Sequence, residues 1–317
     1  LEAGCVAAIE EKTIMHGVEM DTVQPGILEP VPPCCRYMTF GLIPGADPSE
    51  PLSRLKDYGI DEDMVVGIGK SVVSALGQEI PGLRPFPTLV GPGVDIPATP
   101  SALWLWLRGD DPGKLVHKAN ELKRLLSPAF RPDEVVDGFK HDETPEGMGR
   151  DLSGYEDGTE NPEDDEAVQA AVLTGAGEDL DGSSFVAAQR WIHELGIFAS
   201  MSAQDRDHTI GRRISDNEEL EDAPESAHVK RTAQEDFEPE AFVVRRSMPW
   251  ADAEKEGLEF VAFGSTLDSF EMQLTRMSGL EDGTVDALFR FSRPVTGAYF
   301  WCPPVKDGKL NLAAIGM

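Results

Sequence analysis

The sequence predicts an α+β protein made of two modules of one kind. Its 317 residues exceed the roughly 100–200 residues usual for a single domain. Two strand–helix–strand series, one on each side of an acidic and glycine-rich stretch at residues 140–183, indicate two similar halves. Strands outnumber helices along both halves, which does not favour a doubly wound sheet with alternating strands and helices.

The first half begins with a proline-rich segment at residues 24–33, which predicts an extended entry to the first strand. Runs of β-branched and aromatic residues predict strands at Arg36–Ile43, Met64–Gly69, Ala102–Leu107 and Glu134–Phe139. Helices are predicted at residues 70–77 and 112–126, the second because its apolar residues recur at helical spacing behind a first-turn proline. Residues 79–100 are rich in proline and glycine and are predicted to be loop.

The second half begins with the stretch at residues 140–183, which is interpreted as a linker that carries a loop motif. Its acidic run at residues 161–166 lacks the spacing of a calcium loop, so a solvated loop is the favoured interpretation. Strands are predicted at Ser184–Ile192, Ala241–Arg246, Leu258–Gly264 and Ala298–Cys302. An amphipathic helix is predicted at Leu267–Met277, and residues 200–240 are predicted to hold at most short helices.

The charge of the chain excludes several classes of partner. Asp and Glu number 57 against 28 Lys and Arg, which gives a formal net charge of −29. Such a surface repels phosphate backbones and anionic lipids, so we expect neither nucleic-acid nor membrane partners. A solvated acidic surface is the favoured interpretation of this excess, and adaptation to high salt remains open.

The four cysteines indicate a reducing compartment. Cys5, Cys34, Cys35 and Cys302 show neither the spacing of a metal site nor the density of a disulfide framework. We therefore expect reduced thiols and a cytoplasmic protein.

The segment Asp151–Pro162 holds the most informative motif. Gly154, Gly158 and the Asn161–Pro162 pair break regular structure, so the segment is predicted to be a turn. Asp157 stands between the two glycines, where the backbone can approach a flat ligand closely. Taken alone, the segment would be interpreted as a surface Asp-Gly turn.

Further segments identify a family. Gly154–Gly158 fits the GxxDG motif of the dye-decolourising peroxidases, a family of haem enzymes, and residues 159–162 extend the match. Six more segments resemble the family in the same order, namely Gln189–His193, Ile210–Arg212, Ser226–Val229, Val244–Pro249, Asp286–Leu288 and Pro294–Gly297. The resemblance covers roughly residues 24–317, is strongest after Asp151, and is closest to the bacterial P-type (B-type) branch.

This resemblance implies a fold and an activity. It implies two ferredoxin-like modules with antiparallel sheets in a barrel-like arrangement, at residues 24–150 and 151–317, with haem b in the C-terminal module. The implied activity is a haem peroxidase that uses hydrogen peroxide to oxidise dyes and other aromatic donors through an oxyferryl intermediate. The alternatives are a haem-handling protein with incidental peroxidase activity and an acidic binding module without haem.

Composition alone does not choose an iron ligand among the six histidines, which are His16, His117, His141, His193, His208 and His228. The resemblance implies that His228 is the axial ligand of the haem iron. It also places Asp286 as the acceptor for the other ring nitrogen of that histidine, although a capping or surface carboxylate is an equal alternative. His193 is expected to be structural.

On the opposite face of the haem, the resemblance implies that Asp157 moves the peroxide proton and that Arg245 stabilises developing charge. Ser247, two residues after Arg245, is expected on the same strand face as a positioning group, and Arg246 on the other face in a surface ion pair. Glu156, if close, would raise the pKa of Asp157. The remaining cofactor-binding candidates are Gly158, Thr159, Arg212 as a propionate contact, and Leu258 with Phe260 as an apolar lid.

The resemblance also implies a homo-oligomer and, as a further expectation, an encapsulating shell protein. Four aromatic residues are candidate electron relays, although core packing is favoured for each, namely Tyr155, Trp191, Tyr299 and Trp301.

Overall fold

The computed structural model describes residues 14–15, 17–144, 147 and 149–317, so Cys5 and His16 lie outside the described residues. The strands are β1 (Ile14–Met15), β2 (Val18–Glu19), β3 (Cys34–Leu42), β4 (Met64–Ile68), β5 (Leu89–Gly91), β6 (Val94–Ile96), β7 (Leu103–Gly109), β8 (Phe130–Phe139), β9 (Ser184–His193), β10 (Val244–Arg245), β11 (Met248–Ala251), β12 (Glu256–Gly264), β13 (Ser292–Pro294), β14 (Ala298–Cys302), β15 (Val305–Lys306) and β16 (Lys309–Leu310).

The helices are α1 (Ser49–Tyr58), α2 (Lys70–Ala75), α3 (Pro112–Leu126), α4 (Asp164–Ala171), α5 (Leu195–Ser200), α6 (Ala203–Ile210), α7 (His228–Arg231) and α8 (Asp268–Met277). Helix α3 has the predicted bounds. Its N-terminus is fixed by Asp111, whose side chain accepts hydrogen bonds from the backbone N–H groups of Gly113 and Lys114.

Eight antiparallel strands close into a barrel. The first half contributes four strands in the order β8-β3-β7-β4, and the second half contributes β14-β9-β12-β11 in the same relative order. The two sets meet where Ile68 pairs with Trp301 and where Gly138 pairs with Trp250. This arrangement confirms the predicted α+β fold with antiparallel sheets in a barrel.

The strand β7 shows why the barrel has two different faces. Its side chains alternate, because successive residues of a strand point to opposite faces of the sheet. Trp104 and Trp106 are fully buried in the barrel lumen, where they pack near Phe263 and Phe300. The leucines that alternate with them, Leu103, Leu105 and Leu107, face outward and belong to the core beneath helices α1 and α3. The barrel therefore has an aromatic lumen and an aliphatic outer layer.

Three predictions of local structure were wrong. Residues 79–100 are not all loop, because Leu89–Gly91 and Val94–Ile96 pair as a short hairpin. The acidic run at residues 161–166 ends in the first turn of α4, where carboxylates stabilise a helix N-terminus. The predicted strand Ala241–Arg246 is reduced to Val244–Arg245, and a separate strand follows at Met248–Ala251.

Within the described ranges, none of the helices combines the length and the apolar character that crossing a membrane requires.

Candidate active site

A short hairpin positions Asp157. The backbone N–H of Asp157 donates to Gly149 at 3.0 Å and that of Asp151 donates to Tyr155 at 2.9 Å, on either side of an Arg150–Glu156 bridge. Asp151 and Asp157 therefore project from the same face of the hairpin as diagonal neighbours. Gly158 has a φ of +88°, so the chain leaves the hairpin in a conformation that favours glycine.

Asn161 ties Arg245 to this hairpin. The Asn161 side chain accepts from the backbone N–H of Arg245 at 2.8 Å and donates to its carbonyl at 3.1 Å. The end of the loop motif thus holds the strand β10 next to Asp157. Sequence reasoning missed this role, although the Asn-Pro pair that ends the motif was a signal that could have found it.

His228 begins helix α7 and contacts a buried carboxylate. Its Nδ1 lies 2.7 Å from Oδ2 of Asp286, which is 1% exposed. The second oxygen of Asp286 accepts from the backbone N–H of Leu288 at 2.8 Å, which fixes the carboxylate. Nε2 of His228 has no hydrogen-bond partner among the described residues. This nitrogen is therefore free to ligate a metal.

One cavity brings the three groups together. His228, Asp157 and Arg245 all line this active-site cavity. Most of its walls are apolar, and they include the predicted lid residues; the apolar wall residues are Trp191, Ile210, Leu258, Phe260, Phe270, Leu274, Met277 and Leu288. Tyr155 and Trp191 line the cavity, whereas the two other candidate relays are buried elsewhere, namely Tyr299 and Trp301.

Burial dominates the electrostatics of Asp157. It raises the pKa of the carboxyl, Arg245 opposes that rise, and the negative charge of Asp151 adds to it. Sequence reasoning expected Glu156 to be the like charge that acts on Asp157. Glu156 instead pairs with Arg150 at 3.0 Å and accepts from Asn217 at 2.8 Å.

His193 links Asp151 to Ser292, and all three residues line the active-site cavity. Its Nδ1 lies 2.7 Å from the Ser292 hydroxyl and its Nε2 lies 3.0 Å from Asp151. Hydrogen bonds from His193 and Ser153 hold the pKa of Asp151 at about 2, against the opposing effect of burial. Because both ring nitrogens are engaged, His193 lacks the free nitrogen that His228 offers.

Ser247 lies outside the active-site cavity. Strand β10 ends at Arg245, so the alternation that predicted Ser247 on the same face does not continue. Ser247 lines a second cavity, which shares Asp157 and Arg245 with the active-site cavity. We call it the polar cavity because charged and amide side chains such as Lys140, Arg150 and Asn161 line it alongside apolar ones. Its hydroxyl accepts from the backbone N–H of Val261 at 3.3 Å. Gly158 also lines this polar cavity.

Three further predictions were made for polar residues near the loop motif. Arg212 pairs with Glu160 and does not line the active-site cavity, which is the arrangement expected of an ordinary salt bridge. The Thr159 hydroxyl accepts from Asn217 at 2.9 Å. The predicted surface ion pair of Arg246 was wrong, because its guanidinium donates to the carbonyls of Leu28 and Arg245. Burial lowers the pKa of Arg246 to about 10.

Comparison with known proteins identifies relatives of most of the chain. A family model described as Dyp-type peroxidase, C-terminal, matches residues 148–307. A dye-decolorizing peroxidase of Mycobacterium tuberculosis is 30% identical over 250 residues, which are 76% of this chain and 73% of that protein.

Two solved structures share the fold. A variant of DypB from Rhodococcus jostii in complex with haem has a TM-score of 0.77 at 24% identity, over 88% of this chain and 96% of that one. The encapsulated DyP-type peroxidase from Mycobacterium smegmatis has a TM-score of 0.78 at 24% identity, over 90% of this chain and 96% of that one.

Proposed function

This chain belongs to the dye-decolourising peroxidase family, and we propose that hydrogen peroxide reacts in the active-site cavity, between His228 and the Asp157–Arg245 pair. The protein is a haem peroxidase that uses hydrogen peroxide to oxidise dyes and related aromatic donors. The observation that carries the proposal is that one largely apolar cavity contains a carboxylate-backed histidine together with a buried acid and an arginine.

The residues of the cavity suit haem. His228 presents a free Nε2, and Asp286 accepts from Nδ1, which fixes the ring and favours the tautomer that ligates iron. The apolar walls of the cavity match the faces of a porphyrin, and few polar side chains converge on its interior, as is usual for a cofactor site. When bound, the haem iron supplies the redox centre that takes up the oxidising equivalents of peroxide.

Asp157 and Arg245 have complementary roles in this proposal. Peroxide must lose a proton from one oxygen and gain one on the other, and the Asp157 carboxylate accepts and returns that proton. Arg245 holds the peroxide anion and stabilises the negative charge that develops as the O–O bond breaks. Burial raises the pKa of Asp157, so this carboxylate binds a proton more tightly than an ordinary aspartate does. A tighter hold on the proton suits a group that must first accept the peroxide proton and then return it.

The proposal gives each of the remaining site residues a separate role. Leu258 and Phe260 exclude water from the cavity that they line. Ser247 and Gly158 line the polar cavity, so we assign them to the path by which water and peroxide reach Asp157. Thr159 and Glu156 position the rim through Asn217. Arg212, which pairs with the exposed Glu160, is proposed to contact a haem propionate.

Three variants test the proposal. Asp157→Asn and Arg245→Leu should retain the Soret absorbance but slow its change on mixing with peroxide by at least ~100-fold, the scale of a lost acid–base group. His228→Ala should lose or weaken haem binding. Asp95→Asn, which removes an exposed carboxylate on β6, is the matched control and should behave like the wild type. Unchanged haem binding in His228→Ala would overturn the ligand assignment.

The same rapid-mixing measurement separates the two haem functions. A fast reaction of the wild type with peroxide is expected of a peroxidase, whereas slow bleaching with iron release would indicate haem handling. The relatives found are peroxidases, so haem handling has no support from them.

We also propose that the protein acts in the cytoplasm as a homo-oligomer that a shell protein encloses. The encapsulated peroxidase of Mycobacterium smegmatis, which shares the fold, supports enclosure. Light scattering of the purified protein tests the oligomer, and a monomer at micromolar concentration would contradict it.

A further inference from the structure

Strand β10, which carries Arg245, is an edge strand that pairs with β12 alone among the described strands. The unpaired edge of an ordinary strand presents its N–H groups to water. Ala241 and Val243, which lead into β10, are at most 1% exposed, so their N–H groups need acceptors within the protein. Side chains from other segments take the place of the missing strand.

Gln234 supplies two of these acceptors. Its side-chain Oε1 accepts from the N–H of Val243 at 2.9 Å, and its backbone carbonyl accepts from the N–H of Ala241 at 2.9 Å. Gln273 on α8 adds a third bond, because its Nε2 donates to the carbonyl of Ala241 at 2.7 Å. Two buried glutamines therefore hold the chain just before Arg245. These bonds replace strand pairing there, which is why β10 is shorter than predicted.

Gln234 also reaches the loop motif. Its Nε2 donates to the carbonyl of Glu160 at 2.8 Å. The next residue, Asn161, accepts from the N–H of Arg245 and donates to its carbonyl. Gln234 and Asn161 therefore form successive rungs along the open edge of β10. Because Gln234 is only 2% exposed, loss of its amide would leave buried partners unpaired.

The position of Arg245 depends on this edge. The Nε of Arg245 is buried and lacks a hydrogen-bond partner within the described residues. Its side chain is therefore oriented mainly by the backbone that Asn161 and Gln234 hold. Gln234 itself lies shortly after α7, which begins with His228, so it links the segments that supply the two sides of the active-site cavity.

We propose that Gln234, together with Gln273, is a positioning residue that sets where the Arg245 guanidinium lies in the active-site cavity. This role rests on the proposed function, in which Arg245 holds the peroxide anion. Loss of the Gln234 amide would leave the Val243 N–H and the Glu160 carbonyl unpaired, and the chain would move to satisfy them. Arg245 would then stabilise an anion in the cavity less well.

Fluoride binding to the haem-loaded ferric protein tests this role without turnover. Fluoride is a small anion that can occupy the place proposed for the peroxide anion, and its binding is followed at the Soret band. Gln234→Met replaces the amide by an apolar chain of similar length and should weaken fluoride binding several-fold. Gln273→Met should act in the same direction, and it keeps the test open if Gln234→Met does not fold. Gln78→Met, at an exposed glutamine in the first half of the chain, is the matched control and should bind fluoride like the wild type.

A double-mutant cycle separates positioning from a general structural role. Arg245→Leu should weaken fluoride binding at least ~10-fold, the scale of a hydrogen bond to a charged group. If the glutamines act through Arg245, Gln234→Met or Gln273→Met should add little further loss in the Arg245→Leu background. A merely structural role would lower the affinity by the same factor in both backgrounds. Haem affinity should stay near the wild-type value, because His228 keeps its contact with Asp286.

Several outcomes would overturn this role, with circular dichroism establishing that each variant is folded. One is a folded Gln234→Met that binds fluoride like the wild type or, where that variant does not fold, a folded Gln273→Met that does so. Equal factors in the two backgrounds, or a comparable loss of haem affinity, would assign the glutamines to the fold alone. Unchanged fluoride binding in Arg245→Leu would instead contradict the proposed function of Arg245, and this inference with it, so the two failures are distinguishable.

Discussion

Asp157 shows how neighbours on one hairpin set the chemistry of a single carboxyl. The diagonal pairing across the Gly149–Asp157 hairpin places Asp151 on its face, and the negative charge of Asp151 helps to raise its pKa above the ordinary 3.8. Asp151 itself stays ionised because hydrogen bonds from His193 and Ser153 hold its pKa at about 2. As the pH falls, a base with a raised pKa becomes protonated at a higher pH than an unperturbed aspartate does. It therefore loses its activity as a base at that higher pH.

Replacement of Asp151 should therefore shift the pH profile of the peroxide reaction. In Asp151→Asn the repulsive charge is lost, so the pKa of Asp157 falls and the acid limb of the second-order rate constant moves to lower pH. Stopped-flow mixing with peroxide from pH 3 to 8 measures this limb. Glu156→Gln should leave the limb in place, and a shift in that variant alone would show that Glu156 is the neighbour that matters.

In the proposed site, Asp286 would act on the haem iron only through His228, which it contacts. Asp286→Asn keeps an oxygen that can accept from Leu288, but an amide is a weaker acceptor for the imidazole than a carboxylate. We expect haem affinity to fall ~10–100-fold, the usual cost of losing such a partner. Titration of the apoprotein with haem at the Soret band measures the affinity. Glu281→Gln, which alters a half-exposed carboxylate paired with Arg276, is the control, and equal losses in both variants would contradict this role.

At the scale of elements, the pairing of β9, β11 and β12 depends on one glycine. Gly257 lies between Trp250 on β11 and Ile192 on β9, and the Trp250 indole N–H reaches the Trp191 carbonyl at 3.1 Å across it. A Cβ on Gly257 would lie 2.0 Å from that carbonyl oxygen. Trp191 also lines the active-site cavity. The close approach at Gly257 therefore affects both the closure of the barrel and the shape of that cavity.

Gly257→Ala should destabilise the fold. The backbone carbonyl of Trp191 cannot move without disturbing the ladder between β12 and β9, so we expect a loss of about 1–3 kcal/mol or more in the free energy of unfolding. Thermal melts measure the loss. Gly196→Ala in α5 meets no atom within 4 Å and should leave the melting temperature unchanged or raise it slightly. Equal melting temperatures for Gly257→Ala and the wild type would refute the close approach.

At the scale of the whole molecule, the net charge of −29 governs encounters with charged substrates. A strongly acidic surface attracts cations and repels anions over a Debye length, which is about 30 Å at 0.01 M salt and about 3 Å at 1 M. The active-site cavity, in contrast to this surface, is largely apolar. Surface charge should therefore affect which dyes arrive more than how peroxide reacts.

Salt should separate dyes by charge. We expect kcat/KM for a cationic dye to fall as KCl rises from 0.01 to 0.5 M, and that for an anionic dye to rise, because screening removes attraction and repulsion alike. Steady-state assays with one dye of each charge measure both slopes, and an uncharged phenol serves as the control. Parallel slopes for the two dyes would contradict steering by the surface.

The sequence by itself determined the fold class, the bounds of α3 and seven of the eight strands of the barrel, because alternation and helical spacing are local properties of the chain. The eighth, Met248–Ala251, was missed. It also determined the family, since seven short segments occur in one order. The proposed module boundaries at residues 150 and 151 stay a prediction.

Only the tertiary structure decided which groups meet. Asn161 holds Arg245 from 84 positions away, a distance along the chain at which no local pattern operates. For Asp286 the resemblance left two roles open, and the structure shows that it fills both, because it contacts His228 and caps the turn at Leu288. The structure also replaced Glu156 by Asp151 as the charge that acts on Asp157. Contacts of this kind depend on how the barrel closes, and burial then fixes the strength of each charge, so neither could be obtained from residue order alone.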